Sequence, residues 1–176
     1  YAHDYRHRMK ASRGYSAASV ALTGSSTYSK NLLLCSTDSY GRKTYYAYRS
    51  SDSAMIRTVR GLVPSFTLAS FAAVTALTRS ASLNPDYVIE DYELDNEGQR
   101  LATVDAKGIR HETVYNSRGQ VTEQIEAKGT AVAAKTAFEY DAQGNRTKTI
   151  APRSFDVDAG GTVFTRPGAE GDFVTQ

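Results

Sequence analysis

A four-residue motif that recurs through the second half of the chain is the strongest constraint on its fold. Each copy begins with Asp, Asn or Glu and ends three residues later with Gly. An Asp or Asn at the first position bonds back to the backbone, and Gly is preferred at the fourth position of a type I turn. Glu126 is the weaker match to this rule. The motif predicts five tight turns, whose first and last residues are Asp95 and Gly98, Asp105 and Gly108, Asn116 and Gly119, Glu126 and Gly129, and Asp141 and Gly144.

The segments between these turns have the length of ordinary β-strands. They span 99–104, 109–115, 120–125 and 130–140, and strands of about six residues are common. Frequent glycine and the β-branched residues Thr, Val and Ile disfavour helix. Turns alternating with short strands predict an all-β fold of antiparallel β-hairpin repeats.

Neither side of these predicted strands is fully apolar. Alternation in the longest segment places one set of residues on a single face: Val132, Ala134, Thr136, Phe138 and Tyr140. In the preceding segment Val121 and Ile125 share a face with Glu123. Two fairly polar faces predict a thin wall with water on each side, since a dry sandwich core needs one apolar face.

The spacing extends the motif toward the start of the chain. Asp38 precedes Gly41 by three residues and Tyr48 by ten, as Asp105 precedes Gly108 and Tyr115. The segment HDYRHRMK at 3–10 is a weaker match. Repeats about 21 to 25 residues apart predict an array in which each unit packs on its neighbours.

Three segments carry a family resemblance: YDAQGNRTKTI at 140–150, YNSRGQVTEQI at 115–125 and LDNEGQRLATVDAKG at 94–108. They resemble the repeat of the Rhs or YD-repeat family, in which Tyr-Asp, two residues, Gly and usually Arg precede a short strand and another Asp and Gly. The resemblance is good over 94–150, fair over 36–60 and thin elsewhere. The residues that match the structural repeat are Asp95, Gly98, Asp105, Gly108, Tyr115, Gly119, Gly129, Tyr140, Asp141 and Gly144.

The resemblance implies a hollow shell built from a spiralling sheet of hairpins. In bacterial members of the family such a shell holds a toxic C-terminal segment, and other members act in adhesion at cell surfaces. This chain has Leu94 in place of the repeat tyrosine and Asn116 in place of the aspartate, and it lacks the DPxG-type motif of self-cleavage. The architecture is therefore carried over without a cleavage activity.

This resemblance predicts a non-enzymatic section of a secreted or surface-displayed bacterial protein. Its partners would be the rest of the same polypeptide with an enclosed C-terminal effector, and other shell subunits. The alternative is an adhesion or glycan-binding module that contacts glycans or cell-surface proteins through Tyr45, Tyr46 and Tyr48. The sequon at Asn145 has meaning only in a eukaryotic secreted protein.

One array is expected over 1–176, with degraded repeats at 1–60, an apolar insert at 61–78 and an irregular tail at 151–176. The insert is uncharged and lies between Arg60 and Arg79. Its length is near that of a membrane span, but it contains Pro64, several Ser and Thr, and mostly alanine. We expect a buried strand pair or a short helix against the sheet. Because the chain starts at Tyr1 without a targeting segment, we expect a piece of a longer polypeptide.

Charge gives no evidence for a nucleic-acid partner. Residues 1–83 contain 11 Lys and Arg against 3 Asp and Glu, whereas residues 84–176 contain 10 against 16. The basic residues are scattered among Ser, Tyr and Thr without a recognition motif, so attraction between parts of one molecule explains the difference.

The reactive residues form no known catalytic or metal-binding pattern. His3, His7 and His111 lack zinc-ligand or triad spacing and are expected at surface strand positions, and the lone Cys35 is expected to be buried. Asp156 and Asp158 resemble the start of a calcium loop, but Pro167 stands where such a loop needs Glu. The sequence thus predicts no catalytic residue, cofactor or metal.

Overall fold

The computed structural model describes residues 2–3, 9–15, 21–29, 31–79, 83–152, 155–165 and 174–175. Two compact units divide the chain, Tyr1–Asp91 and Tyr92–Gln176. Almost all regular structure in the described residues is antiparallel β-sheet, and the one helix among them has 6 residues. The predicted fold class, antiparallel β-hairpin repeats, is confirmed.

The first unit is a meander in which each strand pairs with the next along the chain. Its strands are β1 (Ala2–His3), β2 (Met9–Tyr15), β3 (Ala21–Ser29), β4 (Leu32–Thr37), β5 (Lys43–Tyr48), β6 (Met55–Gly61) and the first part of β7 (Tyr87–Leu94).

The apolar insert covers one face of the sheet in the first unit. It contains helix α1 (Phe71–Ala76), whose first turn is capped by the Ser70 hydroxyl. Val74 of the helix is buried with residues from three strands: Tyr45, Ala47, Val59 and Ile89. The short helix against the sheet, one of the two structures expected for this insert, is therefore present, and this face of the sheet is not open to water. The insert buries the apolar face because leaving Val59 and Ile89 in water would cost about 2 kcal/mol each.

A pair of arginines holds the insert on the sheet. Arg57 donates to the carbonyls of Val74 (3.2 Å), Thr75 (3.0 Å) and Leu77 (2.7 Å) at the end of α1, where the helix dipole favours a cation. Its guanidinium also binds Asp91 at 2.5 Å, and Arg79 binds the other oxygen of Asp91 at 2.8 Å. The Asp91 carboxylate thus links Arg57 of strand β6 to Arg79, which lies between α1 and the strand that contains Asp91.

The second unit continues the meander and adds a separate hairpin. Within it β8 to β12 pair in chain order, and β15 pairs with β12. The strands are β8 (Arg100–Val104), β9 (Arg110–Tyr115), β10 (Val121–Lys128), β11 (Ala134–Tyr140), β12 (Arg146–Ile150), β13 (Phe155–Val157), β14 (Val163–Thr165) and β15 (Val174–Thr175).

The hairpin of β13 and β14 lies in the tail that the sequence predicts to be irregular. Phe155 is buried beside β11, with the Lys135 ammonium 5.1 Å from its ring centre. Gly161 packs so closely on the backbone of Gly129 that a Cβ atom would lie 2.3 Å from the Gly129 carbonyl carbon. The hairpin therefore covers part of a face that the sequence predicts to be open to water.

Bulged and regular hairpins alternate along the chain. The register shifts within the hairpins β1–β2, β3–β4, β5–β6, β9–β10 and β11–β12. The pairs β2–β3, β4–β5, β6–β7, β8–β9 and β10–β11 keep one register. A bulge bends its strand and increases the local twist. Each bulged hairpin has a shift within a few residues of its turn, so bends recur along one edge of each unit, and β9–β10 has a second shift between Ile125 and Lys128 at its far end.

The bulge in β10 changes which residues share a face. Val121 pairs with Tyr115, whereas Glu123 pairs with Val114. Since Tyr115 and Val114 are adjacent and face opposite sides, Val121 and Glu123 also face opposite sides. The predicted common face of Val121, Glu123 and Ile125 is therefore wrong. Val132 likewise lies in a turn outside β11.

In the part of the chain that the structure describes, no helix is long and apolar enough to cross a membrane.

Candidate functional site

The repeated turns share one hydrogen-bond pattern. At Asp105 a single carboxylate oxygen, Oδ1, accepts from the backbone N–H groups of Lys107 (2.8 Å) and Ile109 (2.9 Å). The Asp105 N–H donates to the Ile109 carbonyl, and the Gly108 N–H donates to the Asp105 carbonyl, both at 2.9 Å. The side chain thus satisfies two N–H groups that the reversal of the chain would leave unpaired.

The pattern recurs at the other turns. The side chains of Asp38, Asn116, Asp141 and Asp158 each accept from the N–H groups two and four residues later. Asp95 accepts from Gln99 N–H at 2.8 Å. The fourth residue of each turn has a left-handed φ of 76° to 94°, which favours glycine. These residues are Gly41, Gly98, Gly108, Gly119, Gly144 and Gly161.

The predicted turn at Glu126 does not form. Glu126 lies within β10, opposite Ala134, and the chain reverses after it, where Ala127 has a φ of 50° and Gly129 a φ of 80°. The Thr130 hydroxyl donates to the Ala127 carbonyl at 2.7 Å. The longer Glu side chain is not among those that bond back to the local backbone in such turns, so the strand continues.

A sixth turn begins at Asp158, in the segment whose sequence resembles the start of a calcium loop. Asp158 accepts from the N–H groups of Gly160 (2.9 Å) and Thr162 (2.8 Å). The available signal was Gly161 in the fourth position. No group of three or more His, Cys, Asp or Glu side chains suited to a metal is present among the described residues, and Pro167 lies outside them.

Successive turns at one edge of the second unit touch each other. The Gln120 amide donates to the Gly144 carbonyl at 2.9 Å, and Arg118 donates to the Ala142 carbonyl at 2.8 Å. The Gln99 amide nitrogen lies 3.2 Å from where a Cβ atom on Gly119 would be. Glycine at this position therefore serves both the backbone conformation and the close approach of the preceding turn.

Tyrosines at the ends of strands form hydrogen bonds to the strand that precedes each of them in the chain. The Tyr115 hydroxyl donates to the Arg100 carbonyl at 3.2 Å, and the Tyr140 hydroxyl donates to the Val121 carbonyl at 2.7 Å. In the first unit Tyr48 donates to the Leu33 carbonyl at 2.8 Å. Each tyrosine is the last residue of its strand and reaches a residue near the start of the strand before it, a contact that phenylalanine could not make.

Threonines occupy the bulges of the two clearest repeats. The Thr122 hydroxyl donates to the Val114 carbonyl at 3.2 Å, and the Thr147 hydroxyl donates to the Glu139 carbonyl at 3.3 Å. In each case the carbonyl belongs to the residue opposite the bulge, where the strand ladder is interrupted. The side chain supplies a hydrogen bond at the position that the bulge disturbs.

Ion pairs cross the strands on one face of the second unit. Arg110 binds both oxygens of Glu93, at 2.5 and 2.7 Å, and also Glu112 at 2.6 Å. The hydrogen bond from Arg110 lowers the pKa of Glu93. Further pairs join Lys128 to Glu112, Lys135 to Glu123 and Lys148 to Glu139. Each of these lysines is matched by a carboxylate on a neighbouring strand.

This pairing also shapes the open cleft of about 600 Å³ lined by residues of 93–101 and 110–119. Its Glu93 and Glu112 side chains are both held by Arg110. Carboxylates engaged in this way are poorly placed for general acid–base work, which needs a proton that is free to move.

The described His and Cys side chains contact neighbouring residues of the protein. His111 lies on β9 with Nδ1 against Glu126 and Nε2 3.8 Å from Asp105, while the His3 side chain and His7 lie outside the described residues. Cys35 is half-buried against the core of the first unit, and burial raises the pKa of its thiol.

The hydroxyls of the three tyrosines expected to contact glycans form hydrogen bonds within the protein. Tyr45 is buried, and its hydroxyl accepts from Leu68 N–H. Tyr46 shares a hydrogen bond with Ser36, and Tyr48 ties to Leu33. This strand does not present the exposed aromatic surface that a glycan site requires.

The turns predict a local response to acid. The side-chain amide and then the backbone N–H of Asn145 lower the pKa of Asp141 below its ordinary value of 3.8. Its contribution to the turn is therefore present above that value and lost as the pH falls through the lowered pKa. We expect amide-exchange protection at Gln143 and Asn145 to fall on acidification, while Gln120 in the Asn116 turn keeps its protection. An equal fall in both turns, or persistence of the difference in D141N, would contradict this.

The tyrosine tie predicts a specific loss of stability. Tyr140→Phe leaves the Val121 carbonyl without its donor and should lower the free energy of unfolding by about 1 kcal/mol. The control, Tyr40→Phe, changes a side chain that is 67% exposed and should cost less than about 0.5 kcal/mol. Urea unfolding followed by circular dichroism measures both, and equal values would show that the tie is not stabilising.

Comparison with known proteins agrees with this geometry. The family model described as RHS Repeat matches residues 115–154, the segment that holds the turns at 116–119 and 141–144. None of the curated proteins matches the chain.

A solved structure shares the fold. The crystal structure of TcdB2-TccC3-Cdc42 superposes with a TM-score of 0.54 at 12% sequence identity. The match covers 88% of this chain but only 9% of the chain in that structure, so this chain corresponds to a small part of it. Residues 115–154 thus match an RHS repeat, and turns, tyrosine hydrogen bonds and hairpins of the same kind continue on either side of the matched segment.

Proposed function

We propose that the chain is a non-enzymatic section of a β-shell in a longer secreted or surface-displayed polypeptide, and that the shell encloses or scaffolds a C-terminal effector. The observation that carries the proposal is that the polar side chains typical of the repeat bond to the protein's own backbone. The turn carboxylates, the strand-end tyrosines and the bulge threonines all bond to the protein's own backbone. What the repeat maintains is a wall.

The hairpin pattern supports a curved wall. Bulges in alternate hairpins bend the sheet repeatedly along one edge, and curvature introduced at defined positions is how sheets close. The neighbour of shared fold is far longer than this chain, which supports a role as one section of a larger assembly.

The wall also suits a container because its charges are matched. On the ion-paired face Glu112, Glu123 and Glu139 each bind a lysine. Such a surface offers few free charges to hold an enclosed polypeptide. Partners of the chain would then be the remainder of its own polypeptide and the effector.

Limited proteolysis of the longer polypeptide tests the enclosure. We expect the segment that follows the repeats to resist trypsin in the native protein, and to be cut at least about tenfold faster when Gly119 and Gly144 are both changed to Val. Valine is strained at their positive φ and would open the turn edge. Ser117→Val, an exposed change in the same turn, is the matched control. Rapid cleavage of the segment in the unmodified protein would contradict enclosure.

A further inference from the structure

Two consecutive turns at one edge of the second unit are joined by side chains. Arg118 donates to the Ala142 carbonyl at 2.8 Å, and the Gln120 amide donates to the Gly144 carbonyl at 2.9 Å. The Asn116 side-chain amide donates to Gln120 Oε1 at 3.0 Å, which orients the Gln120 amide nitrogen toward the neighbouring turn. These bonds hold the tips of the hairpins β9–β10 and β11–β12 together.

The preceding turn, which begins at Asp95, lacks these donors. Glu97 holds the position of Arg118, and an ionised carboxylate donates no hydrogen bond. Asp95 holds the position of Asn116, and its side chain likewise has no N–H group to orient Gln99. Among the residues that the structure describes, neither the Glu97 nor the Gln99 side chain forms a hydrogen bond. We name the gap between this turn and the next one the open seam.

A cleft of about 600 Å³ lies along the open seam and is lined by residues of both turns. Leu101 lines it and is 39% exposed. Leu101 stands three residues after its turn glycine, where the next two hairpins have Thr122 and Thr147. Those threonine hydroxyls donate to carbonyls of the preceding strand, whereas leucine has no donor. The β7–β8 hairpin is therefore held less firmly at its own tip as well.

The contacts that remain lie mostly at the base of this tip. Arg110 binds both oxygens of Glu93, and the pairing of β8 with β9 begins at Ala102. The hydroxyl bond of Tyr115 that crosses the open seam is 3.2 Å long, whereas the equivalent bond of Tyr140 is 2.7 Å long. A length of 3.2 Å is long for a bond between two oxygen atoms.

We propose that residues 94–101, which we name the flap, open away from the turn at 116–119 while the hairpins β9–β10 and β11–β12 stay joined. The hinge lies where Arg110 binds Glu93 and where β8 begins to pair with β9. Local opening occurs where a structure has the fewest stabilising contacts, and the flap lacks the donors that the two equivalent hairpin tips use. Opening widens the cleft along the seam. The flap belongs to the second unit alone, so the proposal does not depend on the shell enclosing an effector.

Amide hydrogen exchange followed by NMR at neutral pH tests the flap. Gln99 and Gln120 are a matched pair, since each follows a glycine and donates its backbone N–H to the first residue of its own turn, at 2.8 and 3.0 Å. Gln99 should exchange at least about tenfold faster than Gln120, because each missing side-chain hydrogen bond accounts for roughly fivefold. Asn145, which makes the same bond in the third turn, serves as the reference.

Two variants exchange the residues of the two turns. The closing variant carries Asp95→Asn, Glu97→Arg and Leu101→Thr, and it should bring exchange at Gln99 to within about threefold of that at Gln120. The opening variant carries the reverse changes, Asn116→Asp, Arg118→Glu and Thr122→Leu, and it should speed exchange at Gln120 by at least about tenfold. Exchange at Asn145 should stay within about twofold in the closing variant, because its turn is unchanged. Circular dichroism and melting temperature verify folding, and the closing variant carries the test by itself if the opening variant does not fold.

Equal exchange at Gln99 and Gln120 in the unmodified chain would overturn the proposal, as would an unchanged rate at Gln99 in the closing variant. Two partial variants separate the seam from the hairpin tip. Asp95→Asn with Glu97→Arg should by itself slow exchange at Gln99 by about threefold or more. If Leu101→Thr alone accounts for the whole change, the open seam has no part in the opening and the proposal fails.

Discussion

The hairpins depend on one side-chain oxygen at each repeated turn, and these turns lie at both edges of the sheet. The Oδ1 atom of Asp105, and its equivalents at Asp38, Asn116, Asp141 and Asp158, accepts two backbone N–H groups that would otherwise be unpaired. This fixes a reversal of five residues with glycine at positive φ. Because each turn has the same geometry, the next strand starts at the same place, and the tyrosine and amide contacts between hairpins can repeat.

Local rules made much of the fold predictable. Asp or Asn followed by glycine at the fourth position locates turns because the interaction lies within five residues, and the short segments between them read as strands. The same rule applied loosely failed at Glu126, whose side chain is one methylene longer than that of Asp. Asp158 and Gly161 satisfy the same rule, although the nearby Asp156 makes the segment resemble a metal loop.

The remaining features depend on contacts distant in sequence. The covering of Val59 and Ile89 by the insert, and its attachment through Arg57, Asp91 and Arg79, join residues 12 to 34 positions apart. A bulge adds a single residue to a strand, so alternation read from the sequence assigns the residues beyond it to the wrong face.

Register at the bulge is the most direct test, since the proposed curvature of the sheet depends on it. With Cys35→Ser as background, cysteines at Thr113 and Gln124 should form a disulfide readily, because these residues are opposite each other in the bulged hairpin. Cysteines at Thr113 and Glu123, which a hairpin without the bulge would pair, face opposite sides and should not. Faster cross-linking of the second pair would contradict the bulged repeat and the proposed curvature that rests on it.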